Sequence, residues 1–275
     1  MPRSLPGPSA RPRRLVALDL DGTTLDHSGG LSRAVRDAIR AVVFAGTHVI
    51  IATGRSIVAT VPVAEELGLM NGYAVCSNGA VTLRLDEAHP SGYDVIDTVT
   101  FDPRPVLTLL RDRIPGALVA VEDLGVGFKV SARFPEGELG GEQTVVDWDH
   151  LVSSPATRVT LRRPEGTPEA FMREVEAAGL HGVTYAVGWT AWLDISPEGV
   201  SKASALELLR RRLGVQPWDT VAVGDQRNDV EMLRWAARGV AMGNAPDEVK
   251  AVADEVTADV AEDGLVPVLR SLLEA

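Results

Sequence analysis

The chain has 275 residues, 45% hydrophobic and 24% charged, with a formal net charge of −11 and a single cysteine. This composition supports a well-buried core and excludes a nucleic-acid surface, because phosphate backbones demand clustered Lys and Arg. With Cys76 alone, an intrachain disulfide and a thiolate metal cage are excluded too, which fits a reducing cytoplasm.

Residues 1–13 carry Pro and Arg but no apolar stretch of signal-peptide length, and no run approaches 18 apolar residues; a disordered tail and no membrane partner are expected. The apolar run Leu15–Leu18 suits a strand buried on both faces, and Ser32 suits the cap of a helix reaching about Ala45. His48–Ala52 makes a second such strand, and residues 74–76 begin another strand–helix pair. Residues 83–187 read differently, with strands at 95–99, 118–121 and 159–161 and helices near 106–113 and 168–178. Then Ser201 caps a helix to about Leu213, residues 221–223 form a strand, residues 229–235 a helix, and Val240 and Ala241 a final strand. Alternating strands and helices predict an α/β fold with a parallel-sheet core from 14–82 and 188–275, interrupted by an inserted α/β module over 83–187.

Four polar clusters follow the core strands or open the helices beyond them, where open α/β sheets bind ligands. In Asp19-Leu20-Asp21-Gly22-Thr23, a spacing of two turns both carboxylates to one side, where like charges raise one pKa unless a cation intervenes. The plainer alternative is that Asp21-Gly22 is a hairpin turn, which the buried run before it disfavours. Thr53-Gly54-Arg55 offers a hydroxyl, an approachable backbone and a helix start for an anion, or is an ordinary strand-to-helix turn. Lys202 sits in the first turn of its helix, against the macrodipole, so either an anion lies nearby or the side chain is solvated. Gly224-Asp225-Gln226-Arg227-Asn228-Asp229 supplies oxygen ligands suited to Mg²⁺ or, more simply, caps the next helix. His27, His48, His89, His150 and His181 show no metal-ligand spacing, and Trp189 and Trp192 read as packing residues.

In order and spacing these clusters resemble the four motifs of the haloacid dehalogenase superfamily. Ser77-Asn78-Gly79-Ala80, Ala241-Met242-Gly243-Asn244-Ala245 and Glu262-Asp263-Gly264 resemble its Cof-type subfamily, which carries a class IIB α/β cap between the second and third motifs. The resemblance implies a Rossmann-like core and a Mg²⁺-dependent phosphatase acting on small phosphorylated metabolites, sugar phosphates among them, through an aspartyl-phosphate. It implies Asp19 as nucleophile and metal ligand and Asp21 as acid/base and, through its main-chain carbonyl, metal ligand. Asp225 completes the metal site with Asn228 and Asp229 in support, Thr53 and Lys202 hold phosphate, and Gly22, Gly54, Arg55, Asn78 and Gly79 bind phosphate or substrate. Gln226-Arg227 departs from the family's small or polar residues there and is expected to alter access beside the metal. A phosphomutase of the same superfamily, a dehalogenase and a non-catalytic phospholigand binder are the rivals; Asp21 speaks against the second, and the complete set of acids and lysine against the third. A monomer or weak dimer in the cytoplasm is expected.

Overall fold

The computed structural model describes residues 14–165, 167–187 and 191–274, so the expected N-terminal tail and Trp189 lie outside the described residues. β1 (Leu15–Leu18) is buried along its whole length, as a continuous apolar run requires. α1 (Arg33–Phe44) starts at Ser32, whose side chain accepts from the Val35 N–H, and its 3.6-residue period turns Val35, Ala38, Ile39 and Val42 inward. β2 (His48–Ala52), α2 (Ile57–Leu67) and β3 (Asn71–Cys76) repeat the unit, with β1, β2 and β3 parallel. β4 (Val81–Asp86) and β5 (Tyr93–Thr98) then run antiparallel and extend the same sheet to one edge.

A second sheet follows. α3 (Arg104–Arg113), β6 (Leu118–Asp123), β7 (Gly127–Val130), β8 (Glu142–Val145), the short α4 (Trp148–Leu151), β9 (Val159–Arg162), α5 (Pro168–Ala178), β10 (Val183–Val187) and β11 (Trp192–Pro197) make a six-stranded array in the order β10-β11-β9-β6-β7-β8. Side chains alternate across a strand. Val119, Val121, Val159, Leu161, Leu193 and Ile195 therefore share the face that packs with Leu107 and Leu110 of α3 and Phe171 and Val175 of α5. The intervening positions Glu122, Thr160 and Asp194, with Arg158 just before β9, belong to the opposite face, which meets the loops of the first sheet.

The chain then returns to the first sheet through α6 (Lys202–Leu213), β12 (Thr220–Gly224), α7 (Val230–Trp235), β13 (Arg238–Ala241), α8 (Asp247–Lys250), β14 (Glu255–Val256) and α9 (Leu265–Glu274). Its order is β14-β13-β12-β1-β2-β3-β4-β5, with β12 parallel to β1. Residues of α1 and α9 bury against one face and residues of α6 and α7 against the other, giving the expected doubly wound α/β core. The expected boundaries at 83 and 187 do not coincide with the sheets. The hairpin β4–β5 carries the first sheet on to Thr98, including the strand expected in the insertion near 95–99, and β11 keeps 192–197 in the second sheet. The physical reason is strand pairing: the alternation of Val81, Leu83 and Leu85 fits the open edge of β3, and Leu193 and Ile195 complete the other core. No helix among the described residues is long and apolar enough to cross a membrane.

Cys76 closes β3 fully buried, and its thiol is pushed up to about 12, first by burial and further by the charge of Glu122. A thiol held protonated and covered is inert. Ellman's reagent added to the folded protein is therefore expected to develop no colour until denaturant is present; immediate reaction in buffer would contradict this burial.

Candidate active site

Asp19, Thr53, Ser77 and Asp225 each directly follow the carboxyl end of a parallel strand, β1, β2, β3 and β12 respectively. Local bonds fix the first loop: the Asp19 N–H donates to Val223 O at 3.0 Å, and the Thr24 hydroxyl to Asp19 O at 2.6 Å. A tight turn from Leu20 to Leu25 then brings Asp21 round, closed by Leu25 N–H to Leu20 O at 2.8 Å. The turn read from Asp21-Gly22 is present, though it joins no hairpin strands, because Asp21 and Leu25 meet only in an isolated parallel bridge.

Asp19, Asp225 and Asp229 are buried together, and each offers a carboxylate oxygen within 4.8 Å of the others. Lys202 lies between two of them. Its ammonium donates to Asp19 Oδ1 at 2.6 Å and to Asp229 Oδ1 at 2.7 Å, with no side-chain exposure. That arrangement answers the question of a cation in a first helical turn: Ser201 caps α6 with a capping box, and the buried carboxylates outweigh the helix dipole. Asp229 Oδ2 accepts from the N–H groups of Asp225 and Gln226 at 3.0 and 2.9 Å. Asp225 Oδ1 accepts from the Thr23 hydroxyl at 3.0 Å, and Oδ2 from the Gln226 and Asn244 amides at 2.9 and 3.2 Å.

Three carboxylates face one ammonium, and burial in low dielectric penalises each ionised acid. Burial, then the charge of Asp229, holds Asp19 well above the ordinary carboxylate range despite Lys202. The same two causes push Asp225 up to about 6. For Lys202, burial alone acts downward, but Asp19 and Asp229 overcome it and keep the ammonium above its usual value. The cluster is short of positive charge. A hard divalent cation supplies that charge, and a set of carboxylate oxygens is the donor set it prefers, so these residues fit a metal of the Mg²⁺ type. No histidine belongs to the group.

Asp21 departs from expectation. The carboxylates that repel Asp19 are Asp229 and Asp225, whereas Asp21 is exposed and gripped by Arg55, Nε to Oδ2 at 2.8 Å and Nη2 to Oδ1 at 2.5 Å. Arg55, expected to bind phosphate or substrate, therefore spends its fork on Asp21. Thr53 is buried, with its hydroxyl oxygen accepting from the Arg55 N–H at 3.1 Å. Asn78 adopts the left-handed conformation (φ 54°) and accepts from the Asn228 amide at 2.9 Å.

At Gly22 and Gly79, expected to touch phosphate or substrate, protein atoms occupy the space a Cβ would take. At φ +84°, a Cβ on Gly22 would lie 2.3 Å from Asp225 Oδ2; at φ +104°, one on Gly79 would lie 2.1 Å from Ser201 O. These glycines let the Asp225 carboxylate and the start of α6 approach.

A cavity of about 240 Å³ joins Asp19, Asp21, Thr53, Gly54, Arg55 and Asn228 of the first sheet's loops to Glu138, Arg158, Trp192 and Asp194 of the second unit. Trp192 both lines this cavity and packs edge-on against Phe134, ring centroids 6.1 Å apart. Asn78 and Lys202 border a smaller chamber of about 80 Å³ that shares Asn228 and Asp194. In the departure Gln226-Arg227, Gln226 bonds Asp225 and Arg227 pairs with Glu248, so the cluster stays intact, while Gln226 itself lines the larger cavity.

Thr23 and Asn244 lay within the sequence motifs without an assigned role. Asn244 ties three segments together, donating to Gly22 O at 2.8 Å and to Asp225 while accepting from the Val260 N–H at 2.9 Å. Its position just after β13, at the same sheet end, was the available signal.

A family model of haloacid dehalogenase-like hydrolases matches residues 16–112 and 132–269. The chain is 29% identical to the pyridoxal phosphate phosphatase YbhA of Escherichia coli, over 94% of this chain and 98% of that one. It is 26% identical to the phosphatase YwpJ of Bacillus subtilis, over 94% and 100%. Among solved structures, a phosphatase of the haloalkanoate (HAD) enzyme superfamily from Bacteroides thetaiotaomicron superposes with a TM-score of 0.76 at 26% identity, covering 98% of each chain.

Proposed function

The chain belongs to the haloacid dehalogenase-like hydrolase family and is a phosphatase; from that premise we propose that it hydrolyses small phosphate monoesters of cytoplasmic metabolism, with Mg²⁺, through an aspartyl-phosphate on Asp19. The observation that carries this reading is the state of the Asp19 carboxylate. Lys202 engages Oδ1, no hydrogen bond to Oδ2 is found among the described residues, and the side chain borders the cavity. An acid so placed is oriented and poorly solvated, as a nucleophile must be.

In the first step an Asp19 oxygen attacks phosphorus, the ester P–O bond breaks, and the alkoxide leaves with a proton from Asp21. In the second, Asp21 as carboxylate takes a proton from the water that attacks the phosphoaspartate, which returns Asp19 and releases phosphate. Arg55 holds Asp21 at the cavity wall and stabilises it between the two steps. Thr53 donates its hydroxyl hydrogen toward the phosphoryl oxygens, and Lys202 supplies fixed positive charge behind Asp19. Asp19, Asp225 and the main-chain carbonyl of Asp21 would hold Mg²⁺, which when bound supplies positive charge against the phosphoryl oxygens. Asp229 supports Asp225 by accepting its N–H, and Asn228 positions Asn78. The six-stranded unit acts as a cap that excludes bulk water.

Phosphate release from a panel of sugar, polyol and heteroaromatic phosphate monoesters tests the reading. Release is expected in Mg²⁺, with a fall of about 10³-fold or more in excess EDTA and recovery on adding Mg²⁺ back. Calcium should bind without supporting turnover, because its larger and looser shell spoils in-line geometry. Undiminished turnover in EDTA sinks the metal assignment, and no release from any ester sinks the proposed substrate class.

A further inference from the structure

Arg158 stands just before β9 on the side of the second sheet that meets the first, and only 5% of it is exposed. A guanidinium carries five N–H donors and no acceptor. One donor is used, Nη1 to the main-chain oxygen of Gly54, while Nε is buried without a hydrogen-bond partner. Beneath it lies the Phe128 ring, 5.1 Å from guanidinium carbon to centroid, which fixes the plane of the fork without neutralising it. Glu122, across the strand pair from it, accepts from the Ser77 hydroxyl at 2.7 and 2.9 Å and from the Thr157 hydroxyl at 2.8 Å and makes no ion pair with the guanidinium. Arg158 thus forms none of the ion pairs found among the described residues, although it borders the cavity that holds Asp19, Asp21 and Thr53. A buried cation without an anion is costly, and it is kept where an anion arrives.

We infer that Arg158 receives a second anionic group of the substrate, a carboxylate on the alcohol portion remote from the scissile phosphate; this rests on the phosphatase reading, which puts the phosphate at Asp19. The two ends of such a substrate meet different units. Asp19, Thr53 and Lys202 come from the first sheet and Arg158 from the second, so a molecule spanning the cavity places its phosphate on one wall and its carboxylate on the other. Arginine suits the task because its fork matches a carboxylate bidentately, and the stacked ring preorganises it. Arg158 is a specificity residue that takes no part in bond making.

Calorimetric Kd values in Mg²⁺ for matched pairs of non-hydrolysable phosphonates test this without requiring turnover. Each pair has one chain length and ends in either a carboxylate or a hydroxymethyl group, for instance 3-phosphonopropanoate against 3-hydroxypropylphosphonate. The wild type is expected to bind the best carboxylate member about 10²-fold more tightly than its partner, the scale of a charge-assisted hydrogen-bond pair. Arg158→Met should erase that preference while leaving the hydroxymethyl member within a few-fold, and Arg158→Lys, which keeps charge but not the fork, should retain part of it. Equal affinities in the wild type at every chain length, or no binding of either class, overturn the inference even if Arg158→Met fails to fold. An equal loss for both members in Arg158→Met overturns it as well, by placing Arg158 on the phosphonate. Failure of the phosphatase reading shows separately, as an absence of phosphate release from hydrolysable esters.

Discussion

Asp19→Asn lowers phosphate release by about 10⁵-fold or more, the scale on which loss of a covalent nucleophile acts in enzymes, and no phosphoryl group accumulates on the protein. One oxygen is exchanged for an amide nitrogen, so shape and the contact with Lys202 are nearly kept while the proposed nucleophile is lost. The same substitution is expected to raise the melting temperature of the metal-free protein at neutral pH. Burial and Asp229 disfavour ionised Asp19 more than Lys202 favours it. The sign follows from linkage: an acid whose folded pKa is raised gives its stability below the unfolded value and loses it as pH rises through the folded value. Asp225 obeys the same sign, at about 6 against an ordinary 3.8. Metal-free wild type therefore weakens as pH rises from about 4 through about 6. Thermal unfolding in EDTA across that range, alongside turnover in Mg²⁺, reads both effects. Substantial turnover in the variant, or covalent phosphate found on another residue, contradicts the role given to Asp19.

Lys202→Met acts in the opposite direction on stability. Removing the ammonium leaves Asp19 and Asp229 facing each other out of water, and losing one partner of a buried ion pair costs about 3 to 5 kcal/mol. For a chain of this length that is about 10 °C in melting temperature. The deficit should be largest at neutral pH without metal, shrink as Asp19 protonates on acidification, and shrink again when Mg²⁺ restores positive charge. Turnover should fall by about 10³-fold if Lys202 supplies the proposed fixed charge to the developing transition state. A metal-free variant that melts with the wild type at neutral pH would show that the cluster does not depend on its lysine.

Much of this site was legible because the acids follow buried apolar runs. Leu15–Leu18 and the strand ending at Gly224 announce themselves by hydrophobicity, so Asp19 and Asp225 could be placed at one sheet end without a structure. Lys202 was legible through its conflict with the helix dipole, which the structure resolves with two carboxylates. Partner choice was not legible. Arg55 looked like an anion binder because free donors and donors engaged by Asp21 look alike in sequence. For Gly22 and Gly79 the sequence did not show that a carboxylate and a helix start fill the space a Cβ would take, since only the fold reveals it. The second unit hid its functional face more completely. Thr160 and Asp194 sit at alternate positions of strands whose other inward residues are apolar, and nothing in the sequence marks that their face meets the first sheet.

The pairing of β1 carries one more consequence. Its neighbour β2 follows within 30 residues, but β12 begins only at Thr220. On a ribosome adding about 5 to 20 residues per second, β1 waits some 10 to 40 seconds with one edge unpaired. In that interval the whole six-stranded unit emerges, with a hydrophobic core drawn from residues 106–195. The nascent chain thus completes the later-encoded unit while the strand leading into Asp19 still presents open amides and carbonyls, the kind of edge that recruits foreign strands and holding chaperones. The central strand of the catalytic sheet is among the first made and the last to be enclosed.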